Sequence, residues 1–211
     1  MKKKILFQGD SITDTKRRIG IFCGKPLGCG YVEMIAKSLK HKKQKYKIIN
    51  RGIAFNRSSD LLKRWQRDTL KVNPDILSLL IGINDSWHAY TKRGGVTLEQ
   101  FEMNLRELLT QIRTQNPNVI IILGIPYVSD FGFVEEVWAK EIPSRGEVVR
   151  KIASEFSAQI MDYPKIFEEA LKNYSSRQLF KDGVHPTKLG HQMMANAWLT
   201  CIEENKLLEV K

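Results

Sequence analysis

Asp75-Ile76-Leu77-Ser78-Leu79-Leu80-Ile81-Gly82 is almost continuously apolar and ends on a glycine. A short run of this kind suits a strand covered on both faces, the situation of a central strand in a parallel sheet. Val119-Ile-Ile-Ile-Leu123 reads the same way. Further out, Lys4–Gln8, Tyr46–Asn50 and Gln159–Asp162 carry shorter strand patterns. Between the strands lie amphipathic stretches that predict helices over Tyr31–Lys42, Ser59–Lys71, Ser144–Ser157, Lys165–Asn173 and Leu189–Glu204. The clearest helix places Leu98, Phe101, Leu105, Leu108, Leu109 and Ile112 on one stripe, after a capping pair of Thr97 and Gln100. Strand-helix alternation predicts a doubly wound α/β fold with right-handed crossovers.

No repeat, low-complexity linker or change of composition divides the chain, so residues 1–211 read as one domain. The longer irregular stretches, Thr13–Gly30, Ser86–Val96 and Ile125–Val134, each follow a strand. They are therefore expected at the carboxyl edge of the sheet, where open α/β folds bind ligands. No apolar run approaches the ~20 residues needed to span a bilayer. The basic start Met1-Lys-Lys-Lys4 is followed by an apolar stretch that ends at Phe7, too short for a signal peptide. Cys23, Cys29 and Cys201 form no C-x-x-C pair, which fits a reducing cytoplasm and argues against zinc.

Lys plus Arg outnumber Asp plus Glu by 34 to 23, a net charge of +11. That balance raises a nucleic-acid reading, with Lys40–Lys47 as its densest run. No helix-turn-helix, zinc-finger or RNP pattern accompanies the run, so it reads as a solvated basic surface.

Four segments carry chemistry. Gly9-Asp10-Ser11-Ile12-Thr13 follows the first strand and would expose a serine at the sheet edge. Asp182-Gly-Val-His185-Pro186 sets a carboxylate three residues before an imidazole in a loop bounded by glycine and proline. Such a carboxylate can hold one ring nitrogen while the other takes a proton from serine. Asn50-Arg51-Gly52 and Gly82-Ile83-Asn84-Asp85 follow the second and third strands and offer backbone and amide N–H donors. Acyl transfer needs such donors, because its tetrahedral intermediate gathers negative charge on one oxygen. Taken singly, each segment also reads as an ordinary turn. Asp10 and Asp85 read as structural carboxylates bound to nearby backbone.

Together the segments resemble the blocks of the SGNH hydrolases, also called the GDSL esterase/lipase family. The namesake residues fall on Ser11, Gly52, Asn84 and His185, with Asp182 as the acid partner. The resemblance implies a flavodoxin-like three-layer α/β/α sandwich around a five-stranded parallel sheet in the order 2-1-3-4-5. No G-x-S-x-G elbow surrounds Ser11, so the ordinary α/β-hydrolase class is disfavoured. Within the family the chain is most similar to cytoplasmic bacterial acetylxylan esterases. The matching stretches are Phe7–Asp14, Gly28-Cys-Gly-Tyr-Val32, Leu62-Lys-Arg-Trp65 and Ile81–Trp87. One position departs from the pattern: Phe55 stands where family members often have a second glycine.

The resemblance implies Ser11 as nucleophile, His185 as base and Asp182 as its orienting acid. It assigns the oxyanion donors to the N–H groups of Ser11 and Gly52 and the side chain of Asn84. It implies no cofactor and no metal. The expected substrate is a small ester, an acetylated oligosaccharide above all, with a lysophospholipid or thioester as the alternative. Trp87, His88, Tyr90 and Tyr127 are expected in loops at the same edge, and Trp87, His88 and Tyr127 are candidate substrate contacts, with rim packing as the plainer role. Neither a specific nucleic-acid partner nor a membrane is expected, and assembly into a homo-oligomer fits by resemblance only.

Overall fold

The computed structural model describes residues 2–17, 25–40 and 46–208. Cys23, His41, most of the Lys40–Lys47 run and the expected helix end at Lys42 lie outside the described residues. In chain order the elements are β1 (Lys3–Gly9), α1 (Ser11–Asp14), α2 (Tyr31–Leu39), β2 (Tyr46–Asn50), α3 (Ser58–Asp68), β3 (Ile76–Leu80), α4 (Ile83–Tyr90) and α5 (Leu98–Gln115). They continue with β4 (Ile120–Gly124), α6 (Glu136–Ala139), α7 (Ile142–Glu155), β5 (Gln159–Met161), α8 (Tyr163–Ala170), α9 (Ser176–Leu179) and α10 (Lys188–Glu204).

The strands form one all-parallel sheet in the order β2-β1-β3-β4-β5. Strand periodicity divides the core into two layers. Ile5, Phe7, Ile76, Leu80 and Ile122 face one side, against α2, α8 and α10. Leu6, Leu77, Leu79, Ile121 and Leu123 face the other, against α3, α5 and α7. The one polar residue inside β3, Ser78, accepts a hydrogen bond from Trp198 Nε1 of α10 at 3.2 Å, so its hydroxyl is not left unpaired in the core.

Because the strands are parallel, all five carboxyl ends open on the same edge. Gly9 ends β1 there, and a side chain at that position would collide with the Leu80 carbonyl and with Thr13. Gly82, two residues past β3, has φ +132°, a conformation open to glycine, and is the cap residue of α4.

Helix α4 corrects the expectation that Ser86–Val96 is irregular. Its sequence Ile83-Asn-Asp-Ser-Trp-His-Ala-Tyr90 holds few strong helix formers and no apolar stripe. Its buried residues are mostly polar: Asn84, Asp85, Ser86 and His88 beside Ile83. Buried Asp85 accepts the N–H of Ser58 and its hydroxyl, fastening α4 to the start of α3. Ser86 accepts from Arg145 Nε of α7 at 2.6 Å. Tertiary partners thus hold this helix where propensity does not.

Candidate active site

Ser11 is the first residue of α1, the turn that follows β1. Asp10 caps that turn, accepting the Ile12 N–H at 3.0 Å. Ser11 Oγ lies 2.9 Å from His185 Nε2. His185 Nδ1 lies 2.8 Å from Asp182 Oδ2. The other oxygen of Asp182 accepts the N–H groups of Val184 at 3.0 Å and His185 at 2.8 Å, so the loop wraps its own carboxylate. Burial works to raise the Asp182 carboxyl, but these hydrogen bonds outweigh it and hold the group below the usual carboxylate range.

The loop 125–134 braces this arrangement from the β4 side. Ser129 N–H donates to the Gly183 carbonyl at 2.8 Å and Phe133 N–H to the Asp182 carbonyl at 2.9 Å.

The donors are distributed differently from the expectation. Gly52 N–H donates to Asn50 Oδ1 at 2.9 Å, so it is not an open donor. A Cβ on Gly52 would stand 2.5 Å from Asp14 N, which makes this glycine a spacer where the loop crosses α1. The Asn50 amide also donates to the carbonyls of Thr13 at 2.7 Å and Leu27 at 2.9 Å. Asn84 is buried, and its Nδ2 donates to the Asn56 carbonyl at 3.0 Å, which uses one of two amide hydrogens.

Residues 53–56 form a tight turn closed by Asn56 N–H to the Ile53 carbonyl at 3.2 Å. Phe55 occupies its third position with φ +66°, as a type II turn requires. Among the described residues, the N–H groups of Ser11 and Phe55 donate to no protein group. Asp14 Oδ2 accepts the Ala54 N–H at 3.1 Å and fixes the turn against α1.

A model of the GDSL-like lipase/acylhydrolase family matches residues 7–193. The chain belongs to that family. It is 33% identical over 205 residues to an acetylxylan esterase of Geobacillus stearothermophilus, covering 93% of this chain and 92% of the relative. A GDSL-like protein from Parabacteroides merdae superposes with a TM-score of 0.89 at 38% identity, over 96% of this chain and 97% of that one. The Geobacillus acetylxylan esterase Axe2 gives 0.83 at 34% identity, over 95% and 94%. Axe2 has also been solved as two catalytic mutants, one replacing a serine and one an aspartate by alanine.

The fold of this GDSL-family chain brings Ser11, Asp182 and His185 together, and Asn84 joins them on the same sheet edge. It does not bring all the expected contacts to an open surface. His88 lies on α4, buried behind Trp87 with ring centroids 5.2 Å apart, and neither of its ring nitrogens has a partner. Burial, reinforced by the charges of Arg57 and Arg93, favours its neutral form. Trp87 and Tyr90 are likewise on α4 rather than in a loop, and Tyr90 donates to Glu135 Oε2 at 2.7 Å. Tyr127 stacks on Phe167 at 5.4 Å and borders a cleft of about 450 Å³ that includes none of Ser11, Asp182 and His185.

The role of Arg64, quoted above only as part of Leu62-Lys-Arg-Trp65, is what sequence reading missed. From α3 it donates to the Arg51 carbonyl at 2.8 Å, to Asn56 Oδ1 at 2.7 Å and to the Gly9 carbonyl at 3.3 Å. Its buried guanidinium thus spans the ends of β1 and β2, with Asp68 as counter-ion at 3.1 Å. The available signal was positional: Leu61, Arg64, Trp65 and Asp68 form one helical stripe, and an Arg–Asp pair sits where apolar residues belong.

Two buried groups near the site set opposing pH dependences. Burial pushes the Asp10 carboxyl up to about 6 from 3.8, against the Ile12 hydrogen bond that lowers it. Its ionisation therefore costs stability as pH rises from about 4 to 6, and the full cost persists above. Burial also pushes the His191 imidazole down to about 4 from 6.5, so its protonation costs stability as pH falls through much the same window. Each effect is on the order of 3 kcal/mol, and their slopes oppose. Asp10→Asn keeps an acceptor for Ile12 and removes one of the two. The variant is expected to melt higher than wild type at pH 8, converge with it near pH 4, and lose stability more steeply as pH falls between them. Parallel melting curves across that range would refute the assignment.

Proposed function

We propose that this chain is a serine esterase that removes acetyl groups from small acetylated carbohydrates. The observation that carries the reading is the continuous relay from Ser11 Oγ through His185 to Asp182, at 2.9 and 2.8 Å. Membership of an acylhydrolase family supports the reaction class, and the name of the Geobacillus relative supports the substrate. The catalytic mutants of Axe2 support a serine and an aspartate in the roles of Ser11 and Asp182.

In this mechanism Ser11 Oγ attacks the ester carbonyl while His185 Nε2 takes the hydroxyl proton. Asp182 keeps the Nδ1 proton in place and stabilises the imidazolium that forms. The negative oxygen of the tetrahedral intermediate is received by the Ser11 N–H, the second Asn84 amide hydrogen and the Phe55 N–H. Phe55 replaces Gly52 in this role because its N–H is uncommitted and its turn adjoins the Asn84 amide through the Asn56 carbonyl. The intermediate collapses, His185 hands its proton to the departing alkoxide, and the acetyl group stays on Ser11. Water then attacks the acyl-enzyme, again losing its proton to His185, and acetate leaves as Ser11 regains a proton. The reaction needs neither cofactor nor metal.

We further read residues 1–211 as one domain working in the cytoplasm on short oligosaccharides, since polymeric xylan would not enter a cell. Among the described residues no helix is long and apolar enough to cross a membrane. Hydrolysis of a nitrophenyl ester series from acetyl to octanoyl tests the reading. Turnover should be highest on acetyl and fall roughly 10-fold or more once the chain outgrows the acyl site. A maximum at octanoyl would move the substrate to lipids or thioesters.

A further inference from the structure

We propose that Phe55, stacked on Trp87, is the platform on which the sugar ring of the alcohol half of the substrate rests. The inference rests on the acetylated-carbohydrate reading and adds a specificity-determining residue to it.

The position of the ring is set by its neighbours. Phe55 sits between Ala54, whose N–H is held by Asp14 three residues after Ser11, and Asn56, whose carbonyl holds Asn84. Its ring therefore emerges from the loop that separates the serine turn from the amide donor. The backbone there has φ +66°, which a residue with a bulky side chain rarely adopts. Burial does not compensate, because the side chain is 59% exposed. A large apolar ring held in solvent on a strained backbone calls for a functional account rather than a packing one.

The ring is also oriented. Phe55 and Trp87 stack with centroids 6.2 Å apart and planes 28° apart. Trp87 in turn packs on His88 and carries the Arg93 guanidinium 5.7 Å from its ring centroid. The result is a preassembled pair in which Trp87 backs the exposed Phe55 ring and a cation lies over Trp87. Such a surface suits a pyranose, which offers an apolar C–H face to aromatic rings and hydroxyls to polar neighbours. It does not suit the acetyl group, which is too small to reach from the reacting carbonyl across a solvent-facing ring. The platform is thus assigned to the leaving alcohol.

The test compares kcat and KM on acetylated xylobiose and on ethyl acetate, whose alcohol has no ring to stack. Phe55→Ala makes the same backbone demand at this position while deleting the ring. Because the Phe55 N–H also faces the reacting oxygen, the substitution can change both rates in common, so the readout is their ratio: kcat/KM for the sugar ester over that for ethyl acetate should drop about 10-fold, with the difference in KM of the sugar ester. Phe55→Leu should lose the ratio as well, and Phe55→Tyr should restore most of it. An unchanged ratio in the alanine and leucine variants overturns the platform. So does a fall of both substrates in step through kcat, which would make the side chain a support of the loop only. A wild-type enzyme that hydrolyses ethyl acetate but no acetylated sugar would overturn the carbohydrate reading itself, a result told apart by needing no variant.

Discussion

Ser11→Ala is expected to lower ester turnover by at least about 10,000-fold while leaving the melting temperature close to that of wild type. The hydroxyl lies 2.9 Å from His185 Nε2, so on the proposed mechanism its removal should end acyl-enzyme formation. The fold should tolerate the change. Ser11 opens α1, the cap is supplied by Asp10, and alanine suits a helical turn. Whatever activity remains would come from water attacking an ester held against the oxyanion donors. An organophosphate supplies a second readout: wild type should gain one covalent adduct by mass, and the variant none. A folded variant with near-normal turnover would remove Ser11 from the mechanism.

Asp182→Asn should cost on the order of 10,000-fold in kcat for a different reason. One carboxylate oxygen accepts the N–H groups of Val184 and His185, so the asparagine carbonyl oxygen will take that place. The amide nitrogen must then face His185 Nδ1, where it can only donate. His185 would be held as the tautomer protonated on Nε2, the nitrogen that must receive the serine proton. Substrate binding should change little, since Asp182 touches the imidazole and its own loop. Turnover within 10-fold of wild type would show that the imidazole does not depend on this carboxylate.

Much of this was legible in the sequence, and the exceptions have physical causes. Strands such as Ile76–Leu80 and Ile120–Gly124 announce themselves because both faces are buried and nearly every residue is apolar. The Asp182–His185 pair was legible because its geometry is local. Helix α4 was not, because Asp85 and Ser86 draw its stability from Ser58 and Arg145, far away in the chain. That the Gly52 N–H is engaged within the protein was not legible for a related reason. Whether a backbone N–H is free depends on where a neighbouring side chain turns, and Asn50 turns back on Gly52. Spacing alone cannot distinguish Gly52 from Phe55. The role of Arg64 went unread because a guanidinium that joins the ends of β1 and β2 looks, in one dimension, like any charged residue on a helix.

The loop that carries both Asp182 and His185 bears on how the site is maintained. Carboxylate and imidazole are registered to each other within four residues of chain, through hydrogen bonds that do not leave the loop. The serine and the imidazole are 174 residues apart, and their contact depends on α10 and the sheet staying in place. The serine–imidazole–carboxylate relay is therefore two parts meeting at a single seam. Alignment is a one-coordinate problem, and that coordinate gauges the integrity of the whole fold.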